Sequence, residues 1–267
     1  MTVVDDAGRR VEISGRPSRI ISLAPSNTEI LYALGQGPKV VGVTSFCNYP
    51  PEAREVEKIG DLVPNVEKIL TLDPDLVIGI KGHEEVADRL VQAGIPVLLL
   101  DPKNFAQVLE DIRLVSRVVG SPERGEALCE EMSREVEAVR KEVAGSGAGV
   151  GKRPSLFVLL DVEGLWTAGP GTFIDELVTM AGGENIAEDA KEQYVQYSVE
   201  TLISKDPDAI VLTGPNKKDL YDKTALTGLR AIKENKVFEV NPDLVSRPGP
   251  RLVEGLKEFA RVVESIE

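Results

Sequence analysis

The sequence predicts an α/β fold of two related lobes, each built on a parallel sheet, with one long helix joining them. Three observations favour this fold. A segment of the first half recurs in the second, strand and helix patterns alternate, and a long helical pattern separates the halves. The predicted boundaries are residues 1–120 for the first lobe, 121–145 for the linking helix and 152–267 for the second lobe.

The repeat is clearest in residues 66–80 and 199–213, which have the sequences VEKILTLDPDLVIGI and VETLISKDPDAIVLT. Each copy predicts a short helix, an Asp-Pro-Asp turn and a strand. The helix ends at Asp-Pro because the residue before proline is disfavoured in the helical region. The apolar run that follows is continuous, which is typical of a strand buried on both faces of a parallel sheet.

The other elements follow in chain order. Residues 2–13 predict a hairpin around Asp-Asp-Ala-Gly. The first lobe continues with strand 19–23, helix 28–34, strand 39–44, the first repeat, helix 84–93, strand 96–100 and helix 105–119. The second lobe contains strand 156–160, helix 173–180, the second repeat, strand 237–240 and a helix over about 250–265. Such alternation predicts a parallel sheet in each lobe.

The linking helix is predicted from Ser121 to Ala144, with Ser121 as N-cap and Pro122 at the first helical position. Apolar residues at steps of four and three predict one buried face: Leu128, Met132, Val136, Val139 and Val143. The glycine-rich residues 145–151 are interpreted as a linker, because the spacing of a phosphate-binding loop fails there.

The composition excludes some classes of partner. Lys and Arg number 31 and Asp and Glu 44, so the formal net charge of −13 disfavours nucleic acid and anionic membranes as partners. No run of about 20 apolar residues predicts a membrane span. No signal peptide is visible, although a chain trimmed of an export signal or lipid anchor would have the same sequence. Cys47 and Cys129 are interpreted as ordinary thiols, and no metal site is predicted.

The sequence offers little for catalysis. His83 is the only histidine, which disfavours histidine triads and multi-histidine metal sites, and we interpret it as a helix-start residue. Sequence motifs of nucleophile elbows, zinc proteases and dinucleotide sites are absent. The paired carboxylates of the two Asp-Pro-Asp turns are interpreted as turn-forming. We therefore predict neither catalytic residues nor a cofactor.

A binding function fits better. Ligands of parallel α/β sheets bind at the carboxyl ends of the strands. Only 4% of the residues are aromatic, yet the sole tryptophan and several Tyr and Phe fall in the loops predicted there. A flat apolar ligand with polar edges would suit such walls. The candidate loops are 25–27, 46–49, 81–82, 166–171, the region of Tyr194 and Tyr197, and 243–247.

Several stretches resemble a known family: RIISLAPSNTEILYALG, VVGVTSFCNYPPEA, NVEKILTLDPDLVI and MAGGENI. They are similar to the helical-hinge, class III periplasmic binding proteins of ABC importers, whose two lobes are Rossmann-like or chelatase-like. The resemblance covers nearly the whole chain. Tyr-Pro-Pro at residues 49–51 favours the cobalamin-binding branch of the family.

The resemblance implies a location at the periplasmic or extracellular face of the membrane. It implies two partners, a cobalamin or related corrinoid held between the lobes and the transmembrane subunits of an ABC permease. The implied ligand-binding residues are Phe46, Tyr49, Lys81, Gly82, Trp166, Tyr194, Asp243 and Arg247. Glu67 and Glu200, at equivalent places in the two repeats, are implied to dock onto the permease.

Two alternatives stay open. A haem or ferric-siderophore receptor of the same class is possible, since His83 or Tyr49 could ligate haem iron. Leu62 and Ile80 stand where some relatives have tryptophans, and this leaves the class of macrocycle open. The other alternative is an intracellular chelatase-like enzyme or metallocluster subunit, for which Cys47, Cys129 and His83 are too few and too scattered.

Overall fold

The computed structural model describes residues 1–145 and 153–266. The chain forms two compact units, Met1–Glu131 and Met132–Glu267, so the division falls within the predicted linking helix. Most of the predicted glycine-rich linker lies outside the described residues. The boundaries 1–120, 121–145 and 152–267 stay a prediction.

The first unit contains a hairpin and a four-stranded parallel sheet. Its elements are β1 (Thr2–Val4), β2 (Arg10–Glu12), β3 (Ile20–Ser22), α1 (Pro25–Ala33), β4 (Val40–Val43), α2 (Val66–Thr71), β5 (Leu76–Ile80), α3 (Glu84–Gln92), β6 (Val97–Leu100), α4 (Phe105–Val119) and the first part of α5 (Pro122–Gly145). Strands β1 and β2 pair antiparallel, as predicted. The sheet has the order β4-β3-β5-β6, with every pair parallel.

The turn of the hairpin covers the exposed edge of β6. The Asp6 N–H donates to the Leu99 carbonyl at 3.1 Å, and the Asp5 carboxylate accepts from the Leu99 N–H at 3.1 Å. Arg9 donates to the Val97 carbonyl at 3.1 Å. An uncovered edge strand invites pairing with another chain, so these bonds protect the sheet.

The second unit has a mixed sheet. Its elements are the rest of α5, β7 (Ser155–Asp161), β8 (Trp166–Ala168), α6 (Phe173–Met180), β9 (Glu184–Asn185), β10 (Tyr194–Gln196), α7 (Val199–Lys205), β11 (Ala209–Leu212), α8 (Lys217–Tyr221), α9 (Arg230–Lys233), β12 (Val237–Glu239), α10 (Pro242–Val245) and α11 (Leu252–Glu264). The order is β10-β8-β7-β11-β12, and β9 pairs with β7. The predicted parallel core is present in β7, β11 and β12, whereas β8 and β10 add an unpredicted antiparallel pair.

Some predicted loops have regular structure instead. Residues 166–168 and 194–196 form β8 and β10, and residues 242–245 form α10. Three-residue strands are too short to show an alternating pattern, and their pairing is a long-range contact. The predicted loop 25–27 is the first turn of α1, with Pro25 at its first position and with Ser26 and Asn27 buried.

Both copies of the repeat fold as predicted, as α2 with β5 and α7 with β11. In each copy the aspartate before proline has a positive φ, 46° at Asp73 and 39° at Asp206. Aspartate tolerates this left-handed region better than most residues. The Asp-Pro step therefore ends each helix by turning one residue left-handed.

The second aspartate of each turn accepts hydrogen bonds from the start of a neighbouring strand. Asp75 accepts from the N–H and the hydroxyl of Ser18, each at 2.8 Å. Asp208 accepts from the N–H and the hydroxyl of Ser155 at 2.8 and 2.7 Å. Burial raises the pKa of both carboxyls, but the hydrogen bonds outweigh it and leave each pKa lowered. These carboxylates hold the starts of β3 and β7 against β5 and β11.

Helix α5 packs closely against α4 at its start. The predicted apolar face is confirmed, because four of its five residues are buried and Leu128 is partly buried. Gly125 is also buried, and a Cβ there would lie 2.2 Å from the Ser116 Oγ of α4. Arg113 of α4 binds the Glu126 carboxylate at 2.8 Å. The helices can approach this closely only because residue 125 lacks a side chain.

We predict that Gly125→Ala lowers the free energy of unfolding by roughly 1–3 kcal/mol, because its Cβ overpacks the contact with Ser116. Denaturant unfolding followed by circular dichroism measures the change. Gly145→Ala in the same helix is the matched control, since nothing lies within 4 Å of its Cβ and alanine favours helix. Equal losses in the two variants would contradict the prediction.

Candidate ligand-binding surfaces

The first unit exposes apolar side chains at the carboxyl end of β4. Phe46 and Tyr49 follow this strand and are 47% and 42% exposed. The Ser45 N–H donates to the Gly60 carbonyl at 2.9 Å, which ties this loop to the turn that carries Leu62 and Val63. Both of these residues are more than three-quarters exposed. This surface is defined by its exposed side chains, listed here: Phe46, Tyr49, Leu62 and Val63.

Lys81 and Gly82 lie at the carboxyl end of β5, the same end of the sheet. The Lys81 ammonium is exposed and lies 3.4 Å from the Asp101 carboxylate. Gly82 has a φ of 97°, and its N–H donates to Glu84 at 2.8 Å. A parallel sheet brings its strand ends to one edge, so a polar group adjoins the apolar surface there.

His83 has a structural role in the first unit. Its Nδ1 accepts from the Ile80 N–H at 3.4 Å, and the residue is the N-cap of α3. Burial lowers the pKa of His83, and the nearby Glu84 only partly opposes this shift. The neutral ring is thereby favoured, in agreement with its interpretation as a helix-start residue.

The second unit places Trp166 and Tyr194 on one face of an antiparallel pair. Trp166 is opposite Gln196, and Tyr194 is opposite Ala168. Alternate residues share a face, so Trp166 and Tyr194 are diagonal neighbours about 7–8 Å apart between their Cα atoms. They are 43% and 51% exposed. Burial of its inner half raises the pKa of Tyr194, which keeps the phenol neutral.

Trp166 also lies at the carboxyl end of β7, because it pairs with Asp161 at the end of that strand. A Cβ on Gly164 would meet the indole ring at 2.7 Å, so the ring lies directly over this glycine. A pocket of about 390 Å³ is lined by neighbours of Trp166 in the chain and across the strand pair, among them Gly164, Leu165 and Gln196.

Tyr197 belongs to the core. Its ring is 5.5 Å from that of Phe157, and its hydroxyl donates to the Ile186 carbonyl at 3.0 Å. The Lys205 ammonium lies 5.8 Å from the ring centre. The sequence therefore identified the right segment, but only Tyr194 of its two tyrosines reaches the surface.

Asp243 and Arg247 form an ion pair with each other. They follow β12, and the guanidinium lies 2.6 Å from the carboxylate. The Arg247 side chain is only 12% exposed. The pair lies at the carboxyl end of the sheet as expected, but a ligand would meet an ion pair rather than two separate charges.

Glu67 and Glu200 occupy the second position of α2 and α7. Each helix has a side-chain N-cap, Asn65 and Ser198, so the two sites match in local structure. Both glutamates are exposed. The carboxylate of Glu67 is 2.9 Å from Arg89, and a hydrogen bond within its own helix turn and the Arg89 guanidinium lower its pKa.

Within residues 1–145 and 153–266, no three His, Cys, Asp or Glu side chains are arranged to hold a metal ion. In the same residues, every helix is too short or too polar to span a lipid bilayer.

The comparison with known families decides the class of protein. A family model described as periplasmic binding protein matches residues 20–244. The chain belongs to this family. Among its relatives, the uncharacterized ABC transporter substrate-binding lipoprotein YvrC of Bacillus subtilis is 35% identical, with 98% of this chain and 85% of that protein aligned.

Two solved structures are similar to this periplasmic binding protein over almost their whole length. The periplasmic vitamin B12 binding protein BtuF of Vibrio cholerae is 28% identical, with a TM-score of 0.81 over 94% of this chain and 98% of that one. The periplasmic heme-binding protein RhuT of Roseiflexus is also 28% identical, with a TM-score of 0.84 over 94% and 99%.

Family membership confirms several predictions. The fold is that of a class III periplasmic binding protein. The protein is an ABC transporter substrate-binding component without enzymatic activity, located at the periplasmic or extracellular face of the membrane. A small-molecule ligand and a permease are its expected partners. The alternative of an intracellular enzyme subunit is wrong.

Sequence reasoning missed parts of both surfaces. Val63 and Gln196 were not singled out, although Leu62-Val63 is an apolar pair inside a polar turn, which is a recognisable signal. Gln196 gave no such signal, because only the register of β10 against β8 brings it beside Trp166.

We predict that Gly164→Ala shifts the fluorescence emission of Trp166, the only tryptophan, because the added Cβ displaces the ring. Stability should change little, since an exposed ring can move. Emission spectra and thermal unfolding measure the two effects. Gly228→Ala in the same unit is the control, with nothing within 4 Å of its Cβ. An unchanged spectrum in Gly164→Ala would contradict the prediction.

Proposed function

We propose that this substrate-binding protein binds a cobalamin or related corrinoid and delivers it to its ABC permease. The observation that carries the proposal is the pair of exposed aromatic surfaces, Phe46 and Tyr49 on the first unit and Trp166 and Tyr194 on the second. Aromatic rings suit the broad apolar faces of a flat macrocycle. Similarity to a vitamin B12 binding protein supports the same ligand class.

Polar groups at the strand ends suit the rim of such a ligand. Lys81 presents an exposed ammonium, and Gln196 an exposed amide beside Trp166. A corrinoid has amide side chains around its ring, which can exchange hydrogen bonds with these groups. Asp243 and Arg247 act as a pair in this proposal, offering both a donor and an acceptor.

Haem is the second candidate, and the exposed Tyr49 phenol favours it, because tyrosinate is a known haem ligand. His83 is a weaker haem ligand candidate, since its Nδ1 already accepts a backbone hydrogen bond. A corrinoid brings its cobalt ligands in its own ring and side chain, so it needs no protein ligand. The exposed amide of Gln196 beside Trp166 suits the amide rim of a corrinoid, which haem lacks, and this favours the corrinoid.

We predict that the apo-protein binds cyanocobalamin more tightly than haemin or a ferric siderophore, as measured by calorimetry. Trp166→Ala and Tyr194→Ala should each weaken binding by roughly tenfold or more, because exposed aromatics are common binding hot spots. Tyr221→Ala is the matched control, a partly exposed tyrosine on α8 whose hydroxyl binds Asn235. No binding of cyanocobalamin, or equal losses in all three variants, would contradict the proposal.

We also propose that Glu67 and Glu200 dock onto basic residues of the permease. Their equivalent positions in matching helices supply one exposed carboxylate on each unit. Charge pairs at an interface guide orientation and association, so the contact should weaken with salt.

We predict that Glu67→Gln and Glu200→Gln each weaken binding to the reconstituted permease by roughly tenfold, with ligand affinity unchanged. Surface plasmon resonance at low and high salt measures the effect. Glu85→Gln and Glu254→Gln are matched controls, since both are exposed glutamates in the first turn of a helix. Losses in the controls as large as in the two variants would refute this docking site.

A further inference from the structure

A pocket of about 280 Å³ in the first unit is lined mainly by acidic side chains. Three elements form it: the hairpin turn, the segment after β6, and α4. Its lining residues are Asp6, Asp101, Lys103, Gln107, Glu110 and Asp111. Four carboxylates therefore share the pocket with a single ammonium group, and the charges do not balance.

Asp111 is the buried member of this group. It is 4% exposed, and its Oδ2 atom is shielded from solvent. No hydrogen-bond donor among the described residues reaches this oxygen. Asp111 lies between Val108 and Ile112 on the buried face of α4. An ionised carboxylate without a donor in such surroundings is strongly disfavoured.

The groups nearest to Asp111 have the same charge. The Asp6 carboxylate lies within hydrogen-bonding reach of Asp111, and its Oδ2 accepts from the Asp101 N–H at 2.6 Å. The Lys103 ammonium lies 2.5 Å from the Asp101 carboxylate, and Lys81 lies 3.4 Å from the same group. Both cations thus neutralise Asp101 and leave Asp111 facing Asp6.

A proton on Asp111 relieves the repulsion between the Asp111 and Asp6 carboxylates better than a metal ion does. Within the described part of the chain, these carboxylates do not converge as a metal site requires. Burial, and then the negative charges of Asp6, Glu110 and Asp101, raise the pKa of Asp111 to about 8.

We propose that Asp111 is a proton-binding site whose carboxylic acid hydroxyl donates to the Asp6 carboxylate and so ties the hairpin turn to α4. When the proton passes to water, two carboxylates face each other and the turn is repelled. The same turn binds Leu99 of edge strand β6 and reaches Asp101, which pairs with Lys81. The device is independent of which ligand the protein binds.

The sign of the pH effect follows from linkage. The folded state keeps the proton of Asp111 up to about pH 8, whereas the unfolded chain loses it near the ordinary value of 3.8. The folded state binds more protons within this window, so stability falls as pH rises through it. Asparagine keeps the donor toward Asp6 and cannot ionise.

Thermal unfolding of the wild type and of Asp111→Asn, from about pH 5 to about pH 8, tests the proposal. We expect the wild-type melting temperature to fall several degrees more than that of the variant across this range. Glu110→Gln, an exposed acid lining the same pocket, is the matched control and should retain most of the wild-type slope. Equal slopes in the wild type and Asp111→Asn would overturn the proposal.

A carbon-13 titration of the wild-type carboxyl groups keeps the test independent of whether the variant folds. The Asp111 carboxyl should titrate near pH 8, and a midpoint near the ordinary value of 3.8 would overturn the proposal. Addition of Ca²⁺ at about pH 8 tests the competing explanation, which is that the pocket binds a cation. A rise in the melting temperature of the wild type but not of Asp111→Asn would assign the pocket to a cation instead.

Discussion

The alignment of the parallel strands depends on one interaction that occurs once in each unit. Asp75 and Asp208 accept hydrogen bonds at the start of the neighbouring strand, from Ser18 and Ser155. These bonds fix where β3 meets β5 and where β7 meets β11. Since strand pairing extends from there, the carboxyl ends of the strands reach a common edge. Lys81 directly follows β5, and Trp166 pairs with the last residue of β7, so the placement of these two residues depends on the two carboxylates.

The aspartates of this protein show how surroundings decide ionisation. Asp75 and Asp208 are partly buried, yet their pKa values are lowered because N–H and hydroxyl groups donate to them. Asp111 is more deeply buried and faces Asp6 instead of a donor, so its pKa is raised. Burial acts in the same direction in all three, and the hydrogen-bond partners determine the outcome.

The aromatic residues of the second unit owe their placement to a strand pairing that neither the sequence pattern nor the family resemblance predicted. Trp166 and Tyr194 share a face because β8 and β10 pair antiparallel. Gly164 leaves room for the indole ring of Trp166. Tyr197 follows β10 directly, and its ring packs inward against Phe157. The pairing of β8 with β10 thus leaves Tyr194 at the surface and Tyr197 in the core. The resulting flat, half-exposed rings suit a broad apolar ligand better than a small polar one.

The sequence by itself determined the repeat, the alternation of strands and helices, the long helix, and the class of transport protein. The fold elements follow from periodicity and from the Asp-Pro-Asp turns, which are local in the chain. The class follows from the resemblance of stretches such as VVGVTSFCNYPPEA to a known family. Only the tertiary structure decided which residues of the candidate ligand-binding segments face solvent, as the buried Tyr197 and the exposed Tyr194 show. In the folded chain β8 pairs with β10, and Asp243 forms an ion pair with Arg247. Asp6 of the hairpin lies beside Asp111 of α4. The physical reason is that strand register and the meeting of Asp6 with Asp111 involve residues distant in sequence, and no local pattern encodes such contacts. Asp243 and Arg247 are only four residues apart, but periodicity does not show that they pair with each other.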